Sequence, residues 1–233
     1  MKTVAILPVK RFDAAYSRLA DRLTQEQRRR VAEATFLDML GKIRRCRTVS
    51  ETIVITADEG AARQSNWLGY PVVRQAGDQG HTSAANAGVR AALERGADRI
   101  AMLATDCPLF DPAELDDRLG ITPRSALIIP DQAGTGTNAL ILCPPDAFEP
   151  AFGPDSCARH IGHARKAGIS FALERLESLA VDLDTPEDME TLRDALLLAP
   201  ERSLRTAQVL WEAGETPQPS PPRATPPETA AAA

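Results

Sequence analysis

The sequence predicts an α/β fold in which a mostly parallel sheet carries helices on both faces, and three observations predict it. Short apolar segments alternate with stretches of helical periodicity along most of the chain. Several of those segments are continuously apolar rather than alternating, as strands buried on both faces are. The composition, 43% hydrophobic and 25% charged over 233 residues, suffices for one sizeable core.

Taken in order, residues 3–9 form a continuous apolar run and make the first strand. Thr24 with Gln27 three residues later has the spacing of a capping box, and Val31, Ala34, Leu37, Leu40 and Ile43 then recur at helical spacing. Residues 52–56 are β-branched and short, the next strand. The Ala-rich stretch 83–94 reads as a helix, 99–104 and 126–130 as buried strands, and 138–143 as a further strand. A helix over 157–167 and a strand over 179–183 follow, and Pro186 opens a closing helix that runs to about Leu198, where a first turn tolerates its missing N–H.

One domain is therefore expected over 1–198. Residues 199–214, with Leu204, Val209, Leu210 and Trp211, make a short amphipathic stretch, read either as a last helix on the domain or as an arm reaching a second copy in a homodimer. Residues 215–233 are rich in proline and alanine with no apolar periodicity, and a disordered tail is expected there.

Several function classes are excluded at this level. Lys plus Arg is 27 against 32 for Asp plus Glu, a net charge of −5, so no basic surplus exists to neutralise a nucleic-acid backbone. The apolar runs fall well under the roughly 20 residues of a membrane helix. Residues 1–8 read as a strand rather than a secretion signal. Cys46, Cys107, Cys143 and Cys157 contain no CxxC pair, so neither a disulfide framework nor a structural zinc site is expected. A cytoplasmic location follows from these readings.

In parallel sheets ligands sit outside the carboxyl ends of the strands, so the residues after each strand are the candidates. After the first come Lys10, Arg11 and Arg18, cations that suit an anion such as a triphosphate or form a solvated basic loop. Neither GxGxxG nor a Walker lysine motif is present. Asp106 ends the 99–104 strand, where a carboxylate must be paired, bind a hard cation such as Mg²⁺, or cap a helix. Cys107 beside it has no His/Asn arrangement to make it a nucleophile. Asp182 and Asp184 alternate onto one side of the 179–183 segment and offer further metal ligands.

Two loops add to these. Gly134-Thr135-Gly136-Thr137-Asn138 joins two strands, either as a simple hairpin turn or as a place where backbone N–H groups approach an anion. Phe152-Gly153-Pro154-Asp155-Ser156 precedes a helix whose N-terminus, capped by Ser156, is a ready anion site. His160 and His163 lie three apart on that helix, but a metal pair there lacks a third ligand.

Together, Pro8-Val9-Lys10-Arg11 with Ser17-Arg18-Leu19, Asp106-Cys107-Pro108, Gly134-Thr135-Gly136-Thr137-Asn138-Ala139-Leu140, Phe152-Gly153-Pro154-Asp155-Ser156 with Arg159-His160, and Asp182-Leu183-Asp184-Thr185-Pro186-Glu187-Asp188 resemble the CofC/FbiD family. These are the guanylyltransferases of deazaflavin coenzyme (coenzyme F-420) biosynthesis, and the resemblance covers roughly residues 1–198. It implies a three-layer, Rossmann-like nucleotide-diphospho-sugar transferase fold. It also implies transfer of GMP from GTP to the phosphate of a three-carbon acid, phosphoenolpyruvate or 2-phospho-L-lactate, with release of diphosphate.

By that resemblance Thr137, Gly153 and Ser156 hold the phospho-acid, and Asp106 with one or both of Asp182 and Asp184 carries Mg²⁺. Pro8, Lys10 and Arg11 are expected to meet the nucleotide, with Lys10, Arg18 and Asp106 as the catalytic set; Ser83 and Asn86, on a stretch that departs from the family's pattern, are able to address a purine edge. The chain departs from the family's pattern at Tyr16, where a lysine is usual before Ser-Arg-Leu, and over 77–88, which replaces a Gly-Leu-Asn-Ala-Ala stretch. Two other readings stand beside it: a nucleotide-sugar enzyme of the same fold, and a nucleotide-binding protein without catalysis. The sequence does not distinguish phosphoenolpyruvate, 2-phospho-L-lactate and 3-phosphoglycerate as acceptors.

Overall fold

A computed structural model describes residues 1–77, 80–121 and 125–215. Asp78, Gln79 and the expected tail from residue 216 on lie outside the described residues. The strands are β1 (Thr3–Val9), β2 (Glu51–Thr56), β3 (Val72–Arg74), β4 (Arg99–Leu103), β5 (Ala126–Pro130), β6 (Thr137–Leu142) and β7 (Phe171–Leu173). They form one sheet in the order β3-β2-β1-β4-β6-β5-β7. All neighbours run parallel except β6, which is antiparallel to β4 and β5. The short loop from β5 to β6 allows only a hairpin, which turns β6 around.

The helices are α1 (Gln25–Ile43), α2 (Glu59–Trp67), α3 (Gly80–Glu94), α4 (Pro112–Ile121), α5 (Ser156–Lys166), α6 (Glu177–Ala180), α7 (Pro186–Leu198) and α8 (Leu204–Glu215). Alternate residues of each strand serve opposite faces. Ala5 and Leu7 meet Phe36, Met39 and Leu40 of α1 and Leu115 of α4 on one side. Val4, Ile6, Ile100 and Met102 meet Ala84 and Ala85 of α3 and Ala164 of α5 on the other. The sheet is thus the middle of three layers. Helix α3 lies so close to β1 that a Cβ on Gly88 would sit 2.3 Å from Ile6 Cγ2, so only glycine allows that approach.

The sequence signals for the long elements hold locally. Thr24 Oγ1 accepts from Gln27 N at 3.2 Å while Gln27 Oε1 accepts from Thr24 N at 2.8 Å, the reciprocal capping box at the start of α1. Pro186 occupies the first turn of α7. Residues 199–215 form a 3-10 turn and α8, which packs along α1 and α7 through Ala207 and Leu210. Among the described residues no helix is long and apolar enough to cross a membrane. All four cysteines are buried and unbridged.

The strand expected over 179–183 is not one. Both oxygens of Glu114 accept from Glu177 N and Ser178 N at 3.0 Å and start the short helix α6, after which 181–184 is irregular. Leu179 and Leu183 are buried by packing rather than by strand pairing, and β7 takes the sheet position beside β5. A short apolar run identifies burial and leaves the element undecided. The same sequence reading passed over α2, β3 and β7, and gave α4 only as a helix that Asp111-Pro112 could start.

Candidate functional site

A cleft of about 560 Å³ opens where the carboxyl ends of β1 and β4 meet the start of β6. Its lining includes Pro8, Lys10, Arg18, Asp106, Thr137, Gly153, Ser156, Asp182 and Asp184, so five stretches remote in sequence converge there. Arg11, Ser83 and Asn86 do not line it. Arg11 turns to Asp13, at 2.8 Å, on the exposed surface. On α3 it is His81 that reaches the cleft.

Asp106 continues from β4 and is fixed by its backbone: Leu183 N donates to its carbonyl at 2.9 Å, bringing Asp182 and Asp184 alongside. One carboxylate oxygen of Asp106, Oδ1, is sealed from solvent and has no hydrogen-bond partner. Burial, followed by the charge of Asp182, pushes this carboxyl up to about 6. Asp182 is itself raised by burial, against a hydrogen bond from Asn138 Nδ2 at 3.3 Å that lowers it. Asn138 also donates to the Leu179 carbonyl at 2.8 Å and so ties β6 to the segment that bears the aspartates. Asp184 is differently engaged, held by Arg18 at 2.6 Å in a half-exposed ion pair.

Among the described residues no three His, Cys, Asp or Glu side chains form a cage for a metal ion. What the cleft offers is a partnerless buried carboxylate oxygen with a second carboxylate beside it. That donor set fits a hard cation whose remaining ligands are phosphate and water oxygens.

The opposite wall is built from the β5–β6 loop and the start of α5. Asp131 accepts from Thr135 N and Gly136 N, both at 2.9 Å, one with each carboxylate oxygen. A Cβ on Gly136 would lie 2.5 Å from Asp131 Oδ2, so any other residue there would displace that carboxylate. Ser156 is not the cap of α5; it is the first helical residue, behind Asp155 at φ 54, and its hydroxyl donates to Thr137 Oγ1 at 3.2 Å. The two histidines of α5 have protein partners: His160 bonds Thr137 and the Ala151 amide, and His163 bonds the Glu149 carbonyl.

Tyr16 lines the cleft with its hydroxyl 3.0 Å from Thr35 Oγ1. Burial, reinforced by Asp106, pushes the phenol far above its ordinary range, so it stays neutral. Cys107 is buried with its thiol donating toward the Leu179 carbonyl at 3.7 Å, and burial raises its pKa well above that of a free thiol. It is a packing residue. Sequence reasoning singled out position 16 and missed Asp131 and His81 as lining residues; Asp131, directly after a strand and before Gly134-Thr135-Gly136, carried a local signal.

The family model described as guanylyl transferase CofC like matches residues 3–195. Phosphoenolpyruvate guanylyltransferase of Conexibacter woesei is 44% identical over 200 residues, spanning 84% of this chain and 89% of that protein. The 2-phospho-L-lactate guanylyltransferase of Methanothermobacter thermautotrophicus is 32% identical over 192 residues, spanning 81% of this chain and 83% of that protein. Among solved structures, a Desulfovibrio desulfuricans G20 protein, provisionally assigned as a nucleotide-diphospho-sugar transferase, superposes with a TM-score of 0.74 at 18% identity. That superposition covers 92% of this chain and 96% of that one, and it shows the fold.

Proposed function

The chain belongs to the CofC-like guanylyl transferase family, and from that premise we propose that it transfers GMP from GTP to the phosphate of phosphoenolpyruvate and releases diphosphate. The relative named for phosphoenolpyruvate is the more similar of the two guanylyltransferases compared, which favours that acid over 2-phospho-L-lactate. On this reading the product enters coenzyme F-420 biosynthesis.

The observation that carries the reading is the partnerless buried oxygen of Asp106 in a cleft that Lys10, Arg18, Thr137, Gly153 and Ser156 also line. In the reaction an acceptor phosphate oxygen attacks the α-phosphorus of GTP. A new P–O–P linkage forms, and the bond from the α-phosphorus to the bridging oxygen breaks. The leaving diphosphate takes that electron pair. The acceptor oxygen needs no general base, because a phosphate monoester with a second pKa of about 6 is already ionised near neutrality.

Lys10 and Arg18, on the β1 side, stabilise charge gathering on the departing diphosphate. Arg18 reaches it by exchanging Asp184, an exposed pairing that holds it only weakly. Thr137 at the start of β6, with Gly153 and Ser156 at the N-terminus of α5, holds the phospho-acid. Asp106 and Asp182, with Asp184 beside them, would hold Mg²⁺, which when bound supplies charge neutralisation between the two phosphates. His81, where α3 meets the cleft, is a further residue offered to the nucleotide.

Incubation of the full chain with GTP, Mg²⁺ and each of phosphoenolpyruvate, 2-phospho-L-lactate and 3-phosphoglycerate tests this, with products followed by mass spectrometry. A guanylylated phosphoenolpyruvate together with diphosphate is expected. No diphosphate from any of the three acids would overturn the proposal.

A further inference from the structure

His160 sits on α5 with no exposed surface, directly behind Thr137. Both ring nitrogens have fixed partners. The Ala151 amide donates to Nε2 at 2.9 Å, and an amide nitrogen only donates, so Nε2 carries the lone pair. In the neutral ring the proton is therefore on Nδ1, which stands 3.0 Å from Thr137 Oγ1 and donates to it. Ser156 Oγ donates to the same oxygen at 3.2 Å. With its acceptor capacity used from two sides, the Thr137 hydroxyl is left with its own proton to donate, and Thr137 lines the cleft.

The surroundings keep the ring in this state. Phe152 and Phe148 lie 5.0 and 6.1 Å from it, centroid to centroid. Burial, helped by His163 and Arg159 nearby, holds the imidazole down to about 4. A second ring proton would face the Ala151 N–H head-on. The same imidazole also fixes the 151–153 turn, because Ala151 leads into Phe152, whose carbonyl accepts from Arg159 at 3.0 Å and Thr82 at 3.1 Å.

We infer that His160 is a positioning residue: as a neutral Nδ1–H imidazole it fixes the Thr137 hydroxyl as a donor to the anionic phospho-acid. The inference rests on the reading of the cleft given above. It assigns the second wall of the site a built-in polarity, so that Thr137 meets an anion without having to reorient. A group that accepted from Thr137, such as an imidazole of the other tautomer, would turn that hydroxyl away from the ligand.

Two variants separate the two nitrogens. Asparagine places an amide N–H near Nδ1 and keeps a donor for Thr137, whereas glutamine places an oxygen near Nε2 and keeps only the acceptor for Ala151. His160→Gln is expected to raise the KM for phosphoenolpyruvate by about 10- to 100-fold, the scale of one hydrogen bond to a charged group, with the KM for GTP unchanged. His160→Asn recovers most of that loss. On a Thr137→Val background His160→Gln adds little, because the partner it acts through is gone. In the ¹⁵N spectrum of the wild-type imidazole, assigned against the His160→Asn protein, Nδ1 is the protonated nitrogen.

A protonated Nε2, additive effects of the two substitutions, or His160→Asn no better than His160→Gln would each overturn the inference. A wild type without turnover on any of the three acids would overturn the functional reading alone. The ring tautomer, and the coupling of His160→Gln with Thr137→Val in urea unfolding, would then still decide the positioning role, supporting it only if Nδ1–H and non-additive.

Discussion

Replacement of Asp106 by asparagine is expected to make the protein more stable and inactive at once. Its Oδ1 is buried without a partner, and the carboxyl titrates at about 6 rather than 3.8. At about 1.4 kcal/mol for each pH unit, that gap sets a ceiling of about 3 kcal/mol on the strain the ionised form puts into the fold. The cost of leaving a buried charged acceptor unsatisfied, about 1–3 kcal/mol or more, agrees in scale. Because the folded carboxyl titrates higher than the unfolded one, the folded chain binds the extra proton between about 3.8 and 6, and the penalty is full above that window. It fades as the pH falls through it.

Urea unfolding of both proteins in EDTA measures this. Asp106→Asn should be more stable by about 2–3 kcal/mol at roughly pH 7.5, and the difference should shrink toward zero near pH 4. Added Mg²⁺ should narrow the difference at neutral pH by stabilising the wild type alone. Turnover of the variant should fall by orders of magnitude. Equal or lower stability of the variant at neutral pH, or a difference that persists in acid, would refute the account of Asp106 as a strained, waiting ligand.

Gly136→Ala forces a methyl against Asp131 and deprives the Thr135 and Gly136 amides of their acceptor. A loss of about 1–3 kcal/mol in thermal unfolding, with a raised KM for the phospho-acid, is expected. Lys42 is buried between the Pro108 carbonyl and Ser203 Oγ, and burial lowers its ammonium to about 8 from 10.5. Its penalty is full below about pH 8 and is relieved as the pH rises toward 10.5, so the wild type should gain on Lys42→Met across that window by no more than about 3.5 kcal/mol in urea unfolding.

How much of this was legible in the chain differs from residue to residue. Local chemistry fixed the starts of α1 and α7, because the capping box at Thr24 and the proline at Pro186 act within one turn. Continuous apolar runs fixed β1, β4 and β5, because burial on both faces leaves no room for polar alternation. The edge strands β3 and β7, three residues each and partly exposed, carry too little apolar pattern to announce themselves. The residues 179–183 have that pattern but pack rather than pair, since Glu114, distant in sequence, begins a helix there.

For the site, the sequence by itself supplied the inventory: carboxylates and cations after strands, glycine-bearing loops, and motifs enough to point to a guanylyltransferase family. Position in three dimensions decided which of them act together. Arg11 and Arg18 look equivalent along the chain, yet one turns to Asp13 outside while the other faces the cleft. Ser156 reads as a cap and is instead part of a buried hydroxyl pair, and His160, whose pairing with His163 lacks a third ligand in the sequence, bonds Thr137 and the Ala151 amide. The physical reason is that a side chain's charge and bonding capacity are written in its identity. What it can touch, and how much water it keeps, depends on segments that only folding brings near.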